Sequence, residues 1–442
     1  MKYLLTILFL GSCSIAMIGQ NDLSLTDAIK LGLSNNYQIQ IAQKRVDIAR
    51  NNNTRVAAGA YPRVTGGFNS SNSFLAINNP TSFLNGKTLG GLGITPTIDV
   101  SWVLFDNYKV SINEERLRQL EEQSIGNSDL VVENTINAII LSYYRAVIEQ
   151  EKIDIFRQVL QLSKDRYDFE LAKQELGTGG VFQVVQVKDA YWSDSTNLLR
   201  QENLYRKAIR NLNLSLGEDS TTKNYNLTDT LRLNVQPYNL ATLQQKMIGS
   251  SRTLRNQMLN QQLLKTNTKL QESNQWYIPK VTMNTGINEA LSQNFLWDAN
   301  LPDVVSAGGN QFTFYLNFSV TFNLYDGGAS KRAIQNAIIE EKIGAINIAD
   351  QTRILTNQLS NQLETYQDQL KIIALNEELI SNARQNLSIS EERYKRSLIN
   401  SFDYRNVQLA YLRSSLNKLE SIYNLKVIET ELTRLTGGLV SD

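Results

Sequence analysis

The chain has 442 residues and carries 44 Lys and Arg against 43 Asp and Glu. This near balance, with no long run of like charge, gives no basis for nucleic-acid binding. The sequence contains no histidine and a single cysteine, which excludes Ser-His-Asp and Cys-His catalysis and removes the commonest zinc ligand.

Lys2 followed by the apolar run Tyr3–Leu10 reads as a secretory signal peptide over residues 1–20. Cys13 lies inside it. Leu10-Gly11-Ser12-Cys13 loosely matches a lipoprotein cleavage box, so Cys13 is either the lipidated first residue of the mature chain or discarded with a leader cleaved near Gly19–Gln20. No later segment offers the run of apolar residues that a spanning helix needs.

Leu25, Ala28 and Ile29 open an amphipathic helix for which Ser24 or Thr26 is the N-cap, and Asn35-Asn36 interrupts it. A second helix reaches about Gly59. Tyr61-Pro62 then turns the chain into a strand with Val64, Gly66, Phe68 and Ser70 on one face, and residues 76–91, rich in Asn, Gly, Pro and Ser, read as a loop. Ile94, Pro96, Ile98, Val100, Trp102 and Leu104 then alternate with mostly polar residues up to Phe105-Asp106. From Asp106 to Gly177 the pattern is helical without a proline, about 71 residues or roughly 105 Å at 1.5 Å per residue. Val132, Ile139, Ala146, Ile153, Leu160 and Tyr167 recur by sevens, as a coiled-coil seam does. After the break at Leu176-Gly177-Thr178-Gly179-Gly180 a return helix carries Val184, Tyr191, Leu198, Tyr205 and Leu212, ending at Gly217.

After a polar linker at 218–239 the order repeats. Helices within 240–275 lead to Ile278-Pro279, and Val281, Met283, Thr285 and Ile287 share a strand face. A loop follows at 291–310. From Phe312 to Leu324 apolar and polar residues alternate without a break, giving one wholly apolar and one wholly polar face. A second long helix, from Asp326 to Ser397, carries Leu359, Tyr366, Ile373, Ile380, Leu387 and Tyr394 by sevens, and its return helix has Tyr404, Tyr411, Leu425 and Leu432 in step. Val100/Val320, Leu104/Leu324, Asp106/Asp326, Phe182/Phe402 and Gly217/Gly437 share one offset of 220 residues. The chain therefore divides into a first repeat at 21–217, the linker at 218–239 and a second repeat at 240–442.

A polar face opposite an apolar one suits a soluble sandwich or a membrane barrel, where the apolar face meets lipid and the polar face a lumen. Four strands cannot close a barrel. Two copies would supply eight strands with a filled interior, and three would supply twelve around an open one. Trp102, near a strand end, reads either as part of an interfacial aromatic girdle or as an aromatic packed where barrel meets helix. Asp106 and Asp326 sit where strands become helices and read as N-caps rather than catalytic carboxylates. Gly177-Thr178-Gly179-Gly180 has no following Lys-Ser/Thr and no phosphate-loop context. The two turns, Leu176, Gly177 and Thr178 in one and Ser397, Leu398 and Ile399 in the other, lie farthest from the strands. Their exposed apolar residues suggest a partner surface.

The opening Leu25…Ala28-Ile29…Asn35-Asn36, the two strand-to-helix corners ending in Asp, the tip Leu176-Gly177-Thr178 and the second tip Tyr394-x-x-Ser397…Phe402-Asp403 resemble the TolC-like outer-membrane efflux family. The resemblance covers essentially the whole mature chain. It implies a mixed α and β membrane protein, a homotrimer whose twelve-stranded barrel is continued by long antiparallel coiled-coil helices forming a periplasmic α-barrel. It also implies a passive exit duct, not an enzyme, for a tripartite efflux or type I secretion system. The implied partners are a periplasmic adaptor (membrane fusion) protein, an inner-membrane pump and outer-membrane lipid, with no cofactor. An acidic residue at the place of Asp403 lines the entrance in that family, which makes Asp403, with Tyr394 and Asn406 beside it, the candidate pore entrance. Asp403 alternatively complements the helix that begins near Ser401. Ser397 stands where the family usually has Gly. A structural or adhesive trimer without transport is the competing function.

Overall fold

A computed structural model describes residues 21–233, 235–274, 278–298 and 303–439. Cys13 and the expected leader lie outside them. The elements in chain order are β1 (Asn21–Leu23), α1 (Leu25–Asn35), α2 (Tyr37–Asn52), β2 (Arg63–Ala76), β3 (Thr88–Asp106), α3 (Lys109–Glu175) and α4 (Val181–Leu216). They continue with β4 (Tyr225–Leu227), α5 (Leu240–Ser250), α6 (Arg252–Glu272), β5 (Lys280–Trp297), β6 (Val305–Thr321), α7 (Ala329–Lys395) and α8 (Ser401–Leu435). The helix, helix, strand, strand, long helix, return helix order occurs twice. Both α3 and α7 have 67 residues, starting 220 residues apart. The chain forms two compact units, each drawing on both halves of the sequence.

The strand-bearing unit, Ala42–Ser128 with Arg252–Arg353, holds an antiparallel sheet in the order β2-β3-β5-β6, so β2 and β6 are its edges. Val64, Val100, Thr285 and Leu316 lie abreast, and in the next row Gly66, Ile98, Ile287 and Phe314. Register therefore collects the apolar residues of all four strands on one face. That face is uncovered: Phe312 and Phe314 are 67% and 66% exposed. The opposite face brings Thr65, Asp99, Gly286 and Tyr315 abreast, and the Tyr315 hydroxyl donates to Asp99 across Gly286. Ser70, Asn72, Gln293 and Asn310 interrupt the apolar face towards the loop end, and among the described residues its strands carry one charge there. Glu289 pairs with Phe312.

The strands outrun the sequence reading. The 76–91 loop shrinks to residues 77–87, and the 291–310 loop shrinks because β5 continues to Trp297 and β6 begins at Val305. Ladder bonds come from the backbone, so Gly90-Gly91 and Gly308-Gly309 stay in register despite their poor strand propensity. The helices are slightly shorter than expected for a related reason. Asn107 and Tyr108 form a left-handed turn, with φ of 46° and 59°, between β3 and α3. Asp106 ends β3 and accepts from the Lys109 ammonium at 3.0 Å, so it is not the expected N-cap. Asp326 does act as one. Its carboxylate accepts from the N–H groups of Gly328, Ala329 and Ser330 and from the Ser330 hydroxyl. The Ser330 bonds foremost hold it below the usual carboxylate range. Trp102 shares features of both expectations, since it lies on the apolar face opposite Met283 while its indole N–H donates to Ala60 O at 3.1 Å.

The other unit gathers the chain up to Ile41, Asp129–Ser251 and everything from Ile354. Its core contains Ile139, Tyr143, Ala146, Ile148, Leu212, Leu216, Leu359, Ile373, Leu425 and Leu432. β1 pairs in parallel with β4, and buried Tyr143 ties this ribbon to α3 by donating to Leu23 O and to Asp229, both at 2.8 Å. Gly217 and Gly437 close the two return helices at φ near 70°, each so near the preceding helix pair that a side chain would strike the Asn35 or Ser250 carbonyl. The seam expected on α7 is buried at Leu359, Tyr366, Ile373, Leu387 and Tyr394. On α3 it holds at Ile139, Ala146 and Ile153, but towards the end of the helix the buried residues are Val159, Ser163, Arg166 and Glu170 rather than Leu160 and Tyr167. Polar side chains fill the interior there, and a count of apolar sevens cannot register them.

Candidate functional site at the hairpin ends

The two helical hairpins end in the same backbone turn. At the first, the N–H of Gly177 donates to Gln174 O and that of Thr178 to Lys173 O; at the second, Ser397 donates to Tyr394 O and Leu398 to Arg393 O. This pairing satisfies the last carbonyls of each helix and requires a left-handed residue at its centre. Gly177 takes it at φ 75° and Ser397 at φ 55°. The substitution of Ser for Gly therefore leaves the turn intact. The return helices differ in their caps: Gly180 offers no side chain, whereas Asn400 Oδ1 accepts from the Asp403 N–H at 2.8 Å.

Both turns line one cavity of about 410 Å³. Its wall brings together Thr178 and Gln183 from the first hairpin with Tyr394, Ser397, Leu398, Ile399 and Asp403 from the second. Leu176 and Leu398 protrude, 79% and 63% exposed, and Phe182 and Phe402, at equivalent positions of the two return helices, are also exposed. Gly177 and Asn406 do not line the cavity. Equal helix lengths thus bring the two tips to one place.

The candidate entrance residues separate on inspection. Asp403 and Asn406 are exposed, but Tyr394 is only 4% exposed. Its ring stacks on Tyr404 at 4.9 Å and its hydroxyl donates to Glu170 Oε1 at 2.6 Å. Burial first, then the Glu170 carboxylate, pushes this phenol well above its ordinary value, and burial raises Tyr404 to about 12. Tyr394 therefore lines the cavity from beneath the tips, with little of its side chain exposed.

One layer deeper lies a polar cluster that the sequence reading missed. Arg405 on α8 holds Asp194 on α4 by bonds of 2.6 and 2.7 Å, and Ser163 on α3 donates to the same carboxylate at 2.5 Å. Arg166 lies beside them with its pKa lowered by burial and by the Arg405 charge. The one available signal was the echo of Ser163-x-x-Arg166-Tyr167 in Ser390-x-x-Arg393-Tyr394, a polar repeat inside a hydrophobic one. Among the described residues no group of three or more Cys, Asp or Glu could hold a metal ion, and no helix is long and apolar enough to cross a membrane.

No protein-family model matches the sequence. Nodulation protein T of Rhizobium leguminosarum bv. trifolii is 28% identical over 169 residues, 38% of this chain, and the match spans 34% of that protein's length. Among solved structures, CusC superposes with a TM-score of 0.73 at 15% identity, covering 94% of this chain and 92% of CusC. VceC, an outer-membrane protein of Vibrio cholerae, gives 0.71 at 12%, covering 94% and 96%. The open state of the Neisseria gonorrhoeae MtrE outer-membrane channel gives 0.69 at 14%, covering 94% and 89%. The chain has the TolC-like outer-membrane channel fold.

At such identities the likeness speaks for the fold alone. Within the TolC-like fold the two 67-residue helices and the four long strands are accounted for together, which a soluble helical filament would leave unexplained.

Proposed function

We propose that this protein is the outer-membrane exit duct of a tripartite efflux or type I secretion system. It conducts cargo passively and is not an enzyme. The observation that carries the reading is the sheet itself. Its apolar face is uncovered along all four strands, and both edges, β2 and β6, lack a partner strand among the described residues. An open, apolar, two-edged sheet of this length is an aggregation hazard in water. Pairing β6 of one copy with β2 of the next removes the edges, turns the apolar face to lipid and the polar face to a lumen. Three copies give twelve strands, the arrangement we favour because eight would leave an interior filled by side chains.

In this reading residues 1–20 direct export, with Cys13 either lipidated or removed. The repeats at 21–217 and 240–442, joined through 218–239, supply the barrel strands and a helical periplasmic portion. Leu176, Gly177, Thr178, Ser397, Leu398 and Ile399 form the docking end for a periplasmic adaptor that links the duct to an inner-membrane pump. Asp403 and Asn406 line the entrance, with Tyr394 supporting them from beneath.

Negative-stain images of detergent-extracted protein should show a hollow trimer longer than about 100 Å, as 67 helical residues at 1.5 Å per residue require. Planar-bilayer recordings should show channels. A solid trimer without conductance would favour a structural or adhesive role instead. Trp at both Gly177 and Ser397 should abolish export while leaving the trimer assembled; unchanged export would remove the tips as the docking end.

A further inference from the structure

The two repeats use equivalent helix faces unequally. On α3, Lys152, Val159, Leu162 and Arg166 share one stripe at coiled-coil spacing, and α8 covers it. Lys152 donates to Glu420 at 2.7 Å, Arg166 reaches Ser401 O at 3.5 Å, and Val159 and Leu162 pack with Tyr404, Tyr411 and Leu412. The 220-residue offset carries this stripe to Ile372, Leu379, Asn382 and Asn386 on α7. There it faces solvent. Val159 is 1% exposed, whereas its mate Leu379 is 54% exposed, and Leu375 beside it is exposed as well.

The return helices show the reciprocal difference. Ser401, Arg405 and Leu412 of α8 meet α3, where Arg405 donates to the Ser163 hydroxyl at 3.2 Å and Leu412 packs against the cluster around Val159. Their mates on α4 are Val181, Val185 and Trp192, and all three are exposed. One contact between repeats is thus made by α3 with α8, while both halves of its equivalent, on α7 and on α4, stay open. Apolar stripes at this spacing are partner surfaces. Two cations of the buried contact are also missing from the open one, since Arg166 is matched by Asn386 and Arg405 by Val185. Such faces can meet between separately folded copies without desolvating those charges.

We propose that α7 of one copy packs antiparallel on α4 of a second copy, repeating between chains the contact that α3 makes with α8 within one. The proposal rests on the trimeric duct reading above, and it extends closure from the sheet edges to the helices and names the residues that meet. The observed contacts, moved by the repeat offset, set the register. Arg166 with Ser401 becomes Asn386 against Val181, Gln158 with Tyr411 becomes Glu378 against Tyr191, and Lys152 with Glu420 becomes Ile372 against Arg200. Leu379 and Trp192 take the places of Val159 and Leu412 and supply the apolar burial. A contact between two different faces closes a ring of copies when the rotation allows it, and each repeat then has a neighbour on both sides, as stacked repeats require.

The test uses the full-length protein in detergent, paired cysteines and a short bis-maleimide cross-linker. Asn386→Cys combined with Val181→Cys should give covalent dimers and trimers on a denaturing gel. Neither single variant should, which also controls for Cys13. Leu375→Cys combined with Val181→Cys places its thiols on the same stripes but about three helical turns apart in this register, and it should not link. Equal linking by both pairs, or a link formed within one chain, would overturn the proposal. So would a protein that is trimeric by native mass spectrometry yet unlinked at 386 and 181; the duct reading would survive, with the stripes left to a different partner such as the adaptor. A monomer in every preparation would overturn the duct reading itself. Leu379→Glu gives a second readout, since it should shift native mass spectra from trimer towards monomer while helicity by circular dichroism is kept. An undiminished trimer in that variant counts against the seam.

Discussion

Arg405 on α8 grips Asp194 on α4 through two parallel hydrogen bonds of 2.6 and 2.7 Å, joining the second hairpin to the first. The Asp194 side chain is almost wholly buried and that of Arg405 mostly so. Removing one partner of such a pair strands a buried charge, which typically costs about 3–5 kcal/mol, whereas replacing both by apolar groups is often neutral. Arg405→Ala and Asp194→Ala should each destabilise the protein by about that amount, with Arg405→Met combined with Asp194→Leu recovering most of the loss. Urea unfolding of the three variants decides it. Simple additivity would mean that the pair contributes little beyond packing.

Tyr394 and Glu170 provide a pH signature. The native phenol titrates well above its unfolded value near 10 because burial and the Glu170 carboxylate both disfavour the phenolate. Above that unfolded value the unfolded chain releases a proton that the native state keeps, so stability is complete below about pH 10 and falls as the pH rises past it. Tyr404, raised to about 12, adds to the same slope. Thermal melts between pH 8 and 11 should show a shallower alkaline loss in Tyr394→Phe than in the parent. Identical slopes would mean that the hydroxyl is not held in this environment.

The repeat, the long helices and the alternating strands are legible in the sequence because each depends on apolar periodicity, the signal burial writes most strongly. The strand ends are not, since Gly90, Gly91, Gly308 and Gly309 are held by backbone register that composition does not report. The site is half legible. Turn chemistry marks Gly177 and Ser397, but Ser163, Arg166, Glu170 and Asp194 are buried polar groups that look like surface in a one-dimensional pattern.

Ser397 supplies a measurable strain. A residue with a Cβ held at φ 55° pays about 1–2 kcal/mol relative to a right-handed conformation, and glycine does not. Ser397→Gly should therefore stabilise the protein by about 1 kcal/mol after the extra backbone entropy of glycine is deducted. Gly177→Ala should destabilise it by a similar amount. Calorimetry on both variants tests the equivalence of the two turns. A destabilising Ser397→Gly would show that the serine is kept for a contact rather than tolerated.

Glu289 is the charge that the apolar face carries opposite Phe312. Charged groups on the lipid face of a barrel cost most at mid-depth, and carboxylates cost less than Lys or Arg. If the face meets lipid, Glu289→Leu should raise stability in phospholipid vesicles by about 1–2 kcal/mol, read from denaturant unfolding. Destabilisation instead would put Glu289 against protein, in an interface that a single chain does not contain.

Asp403 separates an entrance from a helix-terminus role because the cap of α8 is already made. Asn400 Oδ1 accepts the Asp403 N–H, and Asp403 contributes its charge from the exposed first turn. Losing a first-turn carboxylate costs about 0.3–1 kcal/mol, whereas removing an Asn cap costs about 1 kcal/mol. Stability alone would hardly distinguish them. Around a three-fold axis, however, three Asp403 carboxylates would form a ring that attracts cations, and Asn400 would add no charge to it. In planar bilayers Asp403→Ala should reduce cation selectivity and weaken block by multivalent cations added on the helical side, with assembly intact. Asn400→Ala should lower the melting temperature and leave selectivity as it was. If both variants change only stability, the carboxylate serves the helix and no acidic ring guards the duct.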